Sequence, residues 1–304
     1  MWKGSKRKKL RSTPLSPEWR RIVENCCPFY HQLPDSDRRE LEGHIQVFLA
    51  EKQFEGCGGL ELNDEIRVCI AAHACLLLLH RDTDYYPDLR TVLVYPSTYV
   101  VPTTRHIGSG VMEESRQPRA GESWREGAVV LAWDAVLGAI HNPGSGYNVV
   151  LHEFAHQLDY EDGHADGAPL LGHGESLRVQ RRRYADWSRI MRSEFEQLRA
   201  RVQFGQSSVL QDYGATNPAE FFAVASTHWS KSESYSGDIR NRTFYAPRHF
   251  ENLGLRRSRS ARKSPALRAA TGSPLDGHPV TRDAPCFSTM WPNRARYIAA
   301  SASR

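Results

Sequence analysis

Residues 148–159, NVVLHEFAHQLD, restrict the fold of this chain more than any other stretch. Val149, Val150, Leu151, Phe154 and Leu158 are spread so widely round a helix that the segment must be buried on nearly all sides. Asn148 supplies the cap that opens it. The same helix carries His152 and His156, four residues apart and so on one face, with Glu153 one position round from them. Two imidazoles cannot enter an apolar interior unpartnered. The bland reading leaves them as ordinary half-buried histidines. A divalent cation held between the rings accounts for both, and the HExxH spacing then sets Glu153 to take a proton from a water polarised by that ion.

Two ring nitrogens leave such an ion one protein ligand short, and two positions compete to supply it. Asp162 lies close by, where a metzincin would offer a His or Asp, but Asp159 occupies the place of the glycine that such a turn requires. Glu220 lies sixty-four residues beyond His156 in NPAEFFAV, matching the plan in which a second helix presents a glutamate. Glu220 also has a structural explanation, since Asn217 at the cap with Glu220 three residues on is a capping box. Tyr213, seven residues earlier, is a phenol that can donate to the oxyanion of a tetrahedral intermediate. Asp159 either orients His156 from behind or faces solvent at the helix end. His164 and His173, in EDGHADGAPLLGHG, read as loop residues rather than ligands.

The charge balance argues against a nucleic-acid surface on the folded part. The chain of 304 residues has a net charge of +5, but residues 1–20 carry 7 Lys and Arg against 1 Asp and Glu, and residues 230–304 carry 14 against 5. Residues 21–229 carry 19 against 29, so the basic character belongs to the ends. With 40% apolar and 25% charged residues, collagen-like, coiled-coil and wholly disordered chains are excluded. The most apolar run, 68–79, is too short for a membrane span, and no apolar segment follows the basic start, so no membrane contact or secretory signal is expected and the setting is the cytoplasm. Six cysteines without CxxC spacing read as reduced thiols, with Cys69 and Cys75 as small core residues.

The pattern along the chain implies helices over 61–79, 148–159, 178–204 and 219–227. The third of these would bury Tyr184, Trp187, Ile190, Met191, Phe195 and Leu198. Strands are expected at 91–95 and 128–133, joined by a loop punctuated by Pro96, Pro102, Gly108 and Gly110. The second strand would offer an open edge to an extended peptide. Three parts follow: a basic segment 1–20, a domain 21–229, and a basic tail 230–304 without apolar periodicity.

Four motifs in order, IAAHACLLLL (70–79), GESWREGAVVLAW (121–133), NVVLHEFAHQLDYEDG (148–163) and DYGATNPAEFFAVAS (212–226), make residues 15–226 resemble the Mlc titration factor A (MtfA) zinc peptidases of bacteria. The resemblance implies an α+β fold, a mainly helical gluzincin-like zinc peptidase core with a small β-sheet, akin to the catalytic core of anthrax lethal factor. It implies Zn²⁺ held by His152, His156 and Glu220, with Glu153 as general base and Tyr213 as donor to the transition state. It further implies a cytosolic aminopeptidase-type activity on peptide substrates and binding to Mlc, a repressor of sugar-uptake genes. The rival reading is a repressor-sequestering protein with a structural or vestigial metal site. After residue 226 the family's ending gives way to Thr227-His228-Trp229-Ser230 and the Arg/Ser-rich tail, which reads as disordered or encoded in a shifted frame.

Overall fold

The helix that carries HExxH lies where the sheet and several helices meet, and the architecture follows from burying it. A computed structural model of the chain describes residues 2–106, 112–124, 127–171 and 176–227. The expectations for the tail 230–304 and for His173 lie outside them. Three helices lead in: α1 (Trp2–Ser12), α2 (Pro17–Cys26) and α3 (Asp35–Glu51). Strand β1 (Gln53–Gly56), helix α4 (Asp64–Leu76) and strand β2 (Thr91–Tyr95) follow. A hairpin of β3 (Tyr99–His106) and β4 (Met112–Arg119) precedes β5 (Gly121–Trp124), β6 (Ala128–Ala132) and α5 (Trp133–His141). The HExxH helix is α6 (Val149–Asp159), followed by α7 (Leu177–Gln203) and α8 (Pro218–Thr227). The fold is therefore α+β, mainly helical, with a small four-stranded sheet and a separate two-stranded hairpin.

That sheet has the order β1-β2-β6-β5, with β1, β2 and β6 parallel and β5 antiparallel to β6. Buried Val92 and Val94 alternate with half-buried neighbours in β2, whereas Val129 to Ala132 of the interior strand are all buried. This arrangement corrects one expectation. Strand β6 is paired on both sides, so it has no open edge; the edge beside the HExxH helix is β5. The strand also stops at Ala132, because Trp133 begins α5. The stretch between β2 and β5, read as a loop, forms an antiparallel hairpin pairing Tyr99 with Arg119 through His106 with Met112. Pro102 is tolerated there because each strand of a two-stranded ribbon has a free edge.

The long helices match their patterns closely. In α4, Asn63 caps by accepting from the Ile66 N–H at 2.9 Å, and every residue from Val68 to Leu79 is buried. The helix ends at Leu76, three residues early, and the chain then reaches His80 in the left-handed region at φ 59°. Helix α7 buries Tyr184, Trp187, Met191, Phe195 and Leu198, with Ile190 half-buried beside them. Asn148 caps α6 by accepting from Leu151 N–H at 3.0 Å.

The basic start is built into the same body. Helix α1 lies on α3, and Arg7 donates from Nε and Nη2 to the two Glu51 carboxylate oxygens at 2.7 Å each, pairs with Asp84, and stacks 4.8 Å from the Tyr85 ring centre. Five free cysteines are described, Cys69 and Cys75 among the buried ones. No helix among the described residues is long and apolar enough to cross a membrane.

What seats α6 is aromatic packing. The Phe154 ring lies 5.6 Å from Phe48 on α3 and 4.9 Å from Tyr86, all three fully buried. Phe154→Ala should therefore lower unfolding free energy in urea by about 3–5 kcal/mol; a loss below about 1 kcal/mol would mean this aromatic contact does not anchor the helix.

Candidate metal centre

Helix α6 turns His152 and His156 toward the N-terminal turn of α8, and Glu220 meets them there. His152 Nε2 and His156 Nε2 lie 3.3 Å apart. Glu220 Oε2 lies 3.2 Å from the first and 3.3 Å from the second. The two rings stand nearly perpendicular, at 83°, with centroids 4.9 Å apart, so their nitrogens converge without the rings stacking. Three donor atoms thus form an almost equilateral triangle. Tetrahedral coordination with bonds of about 2.0 Å separates neighbouring ligand atoms by about 3.3 Å. The buried Glu220 Oε2 makes no hydrogen bond of acceptable geometry despite its short contacts. A cation at the centre satisfies all three, so the residues present fit a divalent metal.

Each candidate from the sequence can now be located. Asn217 Oδ1 does accept from the Glu220 N–H at 2.9 Å, so the cap half of the capping box exists, but a Glu220 carboxylate oxygen faces the imidazoles. Asp162 is exposed and accepts from the His164 N–H in its own turn at 3.1 Å. The group formed with His152 and His156 holds Glu220 instead. Tyr213 is 56% exposed, in a short 3-10 turn, its ring 6.1 Å from that of His152 at the cavity rim. His164 is a largely exposed loop residue.

Asp159 does not face solvent at the helix end. It is fully buried, and its carboxylate accepts the Gly167 N–H at 2.9 Å and the Ala168 N–H at 2.8 Å. Gly167 has φ +77°, and a Cβ there would stand 2.4 Å from the Pro218 carbonyl oxygen. The Gly167 carbonyl in turn accepts from Trp187 Nε1 at 3.0 Å. One loop residue therefore joins α6, α7 and the start of α8, fixing where Glu220 begins its reach.

Gly121 is a second residue whose importance the sequence concealed. A Cβ on it would lie 2.8 Å from Glu153 Cγ and Oε1 and 2.7 Å from Val149 Cγ2. Only glycine lets β5 approach α6 this closely, and Gln157 Nε2 donating to Ser123 Oγ at 2.7 Å holds the two together. Glu153 is pressed against this strand. Burial raises its pKa, with Glu220 and Glu122 adding to the rise and the two imidazoles opposing it. Burial works against charge on Glu220 as well, but the imidazoles outweigh it and hold that carboxyl well below the ordinary carboxylate range. Burial alone would lower the His156 pKa; Glu220, Glu153 and Asp159 reverse the sign and raise it.

These groups line a cavity of about 760 Å³, with Glu122, Tyr147, Asp166 and Tyr213 around the three converging side chains. Tyr147, which the sequence reading passed over, has its phenol pushed up to about 12 by burial and by the nearby Glu153 and Tyr213. It stays a hydrogen-bond donor at neutral pH.

The sequence model of the glucose-regulated metallo-peptidase M90 family matches residues 2–234. An uncharacterized protein of Synechocystis sp., slr2042, is 43% identical over 224 residues, covering 73% of this chain and 79% of that protein. Mlc titration factor A of Escherichia fergusonii is 28% identical over 278 residues, covering 90% and 97%. Mlc titration factor A of Klebsiella pneumoniae strain 342 is 31% identical over 205 residues, covering 66% and 74%.

Replacing the carboxylate by an amide keeps shape and removes the anionic donor. Glu220→Gln should weaken metal binding in equilibrium dialysis by more than the roughly 10–100-fold typical of losing an outer-shell partner. An affinity unchanged from the parent protein would remove Glu220 from the ligand set.

Proposed function

We propose that this chain, which belongs to the glucose-regulated metallo-peptidase M90 family, is a zinc-dependent peptidase of aminopeptidase type. The observation that carries the reading is the triangle of His152 Nε2, His156 Nε2 and Glu220 Oε2 with edges of 3.2–3.3 Å. It is supported by the donor set, two imidazoles and one carboxylate, which suits Zn²⁺ and leaves a fourth position open to the cavity. When bound, zinc would supply Lewis acidity, lowering the pKa of a water and polarising a peptide carbonyl.

The rest of the reaction belongs to the chain's own side chains. Glu153, with its raised pKa, accepts the proton of the attacking water and passes it to the leaving amine. Tyr213 at the rim donates to the developing oxyanion, and Tyr147 offers a second phenol on the same cavity. Among the described residues β5 pairs only with β6, so its outer edge has backbone donors and acceptors for an extended peptide. The described lining holds no Lys or Arg, whereas Glu122 and Asp166 add negative charge. This potential favours a substrate bearing a free, positively charged amino terminus.

Glu153→Gln should keep its metal and lose turnover by about 100- to 10,000-fold. Turnover within a factor of about ten of the parent protein would exclude Glu153 as the base. The name Mlc titration factor A, carried by the relatives from Escherichia fergusonii and Klebsiella pneumoniae, supports a second role in the cytoplasm, binding a transcriptional repressor of the Mlc type. That binding should persist in Glu153→Gln, since surface recognition does not need the proton transfer.

Acetylating the amino terminus of a cleaved peptide removes the charge that the acidic lining attracts. Cleavage of the acetylated peptide should fall at least tenfold relative to the free one, read by mass spectrometry; equal rates would point to an endopeptidase instead.

A further inference from the structure

Helix α4 carries a second pair of donors one turn apart. Cys69 and His73 are four residues apart on α4 and both are buried, at 0% and 1% exposure. Cys26, the last residue of α2, faces them from the neighbouring helix, its Sγ–H donating to the Val23 carbonyl oxygen at 3.9 Å. One donor atom from each of the three lies within 4.8 Å of the other two. A cysteine buried alone is usually only a small apolar residue. Two thiols and an imidazole brought together from two helices form a donor set.

Two further observations point to an ion. The His73 Nδ1 lies 3.0 Å from the Cys69 carbonyl oxygen. A carbonyl can only accept, so Nδ1 carries the proton and Nε2 keeps its lone pair, the tautomer that backbone hydrogen bonds impose on metal-binding histidines. Beside the cluster, a cavity of about 540 Å³ has both Cys26 and Cys69 in its wall, with Asn25, Asp64, Glu65 and His141. It gives a route in for an ion and room for a water.

We propose that Cys26, Cys69 and His73 form a second metal site, thiolate-rich, for one borderline-soft divalent cation such as Zn²⁺, Co²⁺ or Cd²⁺. The inference stands apart from the peptidase reading, because it uses none of the same residues. On binding, two S–H bonds break, two metal–sulfur bonds form, and two protons leave through the cavity. The two thiolates cancel the ion's double charge, so the loaded site is neutral and needs no counter-ion in its buried setting. Bonds of about 2.3 Å to sulfur and about 2.0 Å to nitrogen need donor separations of about 3.5–3.8 Å, so from separations of up to 4.8 Å the side chains close by no more than about 1.3 Å. A water from the cavity completes four-coordination.

Sulfur separates this site from the other one spectroscopically. The reduced, metal-free, full-length protein is titrated with Co²⁺, and the expected result is a near-ultraviolet thiolate-to-cobalt charge-transfer band that saturates. His152, His156 and Glu220 contain no sulfur, so Glu220→Gln should keep the band, while Cys26→Ser should lose it. No band in the parent protein at excess cobalt, or a band retained in Cys26→Ser, overturns the proposal. A second measurement needs no variant: Cd²⁺ should slow alkylation of Cys26 and Cys69 by iodoacetamide at least tenfold, followed by peptide mass spectrometry. Unchanged alkylation rates overturn it equally.

Discussion

Everything in the site depends on three lone-pair atoms being held 3.2–3.3 Å apart inside a protein. Without a cation, the arrangement is unfavourable: facing imidazole nitrogens can share at most one proton comfortably, and the carboxylate between them is half-desolvated. The directions of the pKa shifts record this tension. Glu220 is pushed toward its charged form and His156 toward its protonated form, each by the other against the cost of burial. Such strain persists only because the surroundings over-determine the positions, here through Asn148 and Asn217 capping the two helices and Phe154 wedged between Phe48 and Tyr86.

The harder problem is the sixty-four residues separating His156 from Glu220. Closing so long a loop costs entropy that grows only slowly with its length, so the length itself is tolerable. What must be supplied is precision of about half an ångström at the ligands. Gly167 provides it. Its amide is held by Asp159 at the end of α6, its carbonyl by Trp187 on α7, and its missing side chain admits the Pro218 carbonyl at the first turn of α8. A residue with no chemistry of its own thereby sets the distance between the two halves of the donor set.

The basic amino-terminal helix serves the same end from the other side. The segment from His80 to Leu89 includes three non-glycine residues in the left-handed region, His80, Tyr85 and Tyr86, a conformation that needs external support. Arg7 supplies part of it through Glu51 and Asp84. Lys52, its pKa lowered to about 8 by burial, donates to the Tyr86 and Leu89 carbonyls at 2.7 Å. Arg81 then pairs with Glu161 at 3.2 Å, one turn past the end of α6. Positive charge of the basic segment 1–20 thus helps to hold strained backbone against the HExxH helix.

This contrast defines what could be read before folding. The elements that local rules specify were legible: β2 from β-branched content, α4 and α7 from periodicity, α6 from its cap and apolar girth. Two imidazoles at helical spacing marked a pair of candidate donors, and the proline after Asn217 located the helix of Glu220. Misreadings occurred where a local rule met a tertiary one. The run AVVLAWDAVLGAI is apolar but for Asp134, so the point at Trp133 where strand becomes helix leaves only that single charge as a mark in composition, and whether β6 is an edge depends on a partner, β5, that lies before it in the chain. Pro102 suppressed the hairpin because a proline is read as a loop residue unless the strand is known to be an edge. Glycine is the extreme case. Gly121 and Gly167 are defined by what a Cβ would strike, Glu153 in one instance and Pro218 in the other, and neither neighbour is close in sequence. Cysteine is intermediate: the four-residue spacing of Cys69 and His73 was visible, but it acquires chemical meaning only when α2 brings Cys26 against it.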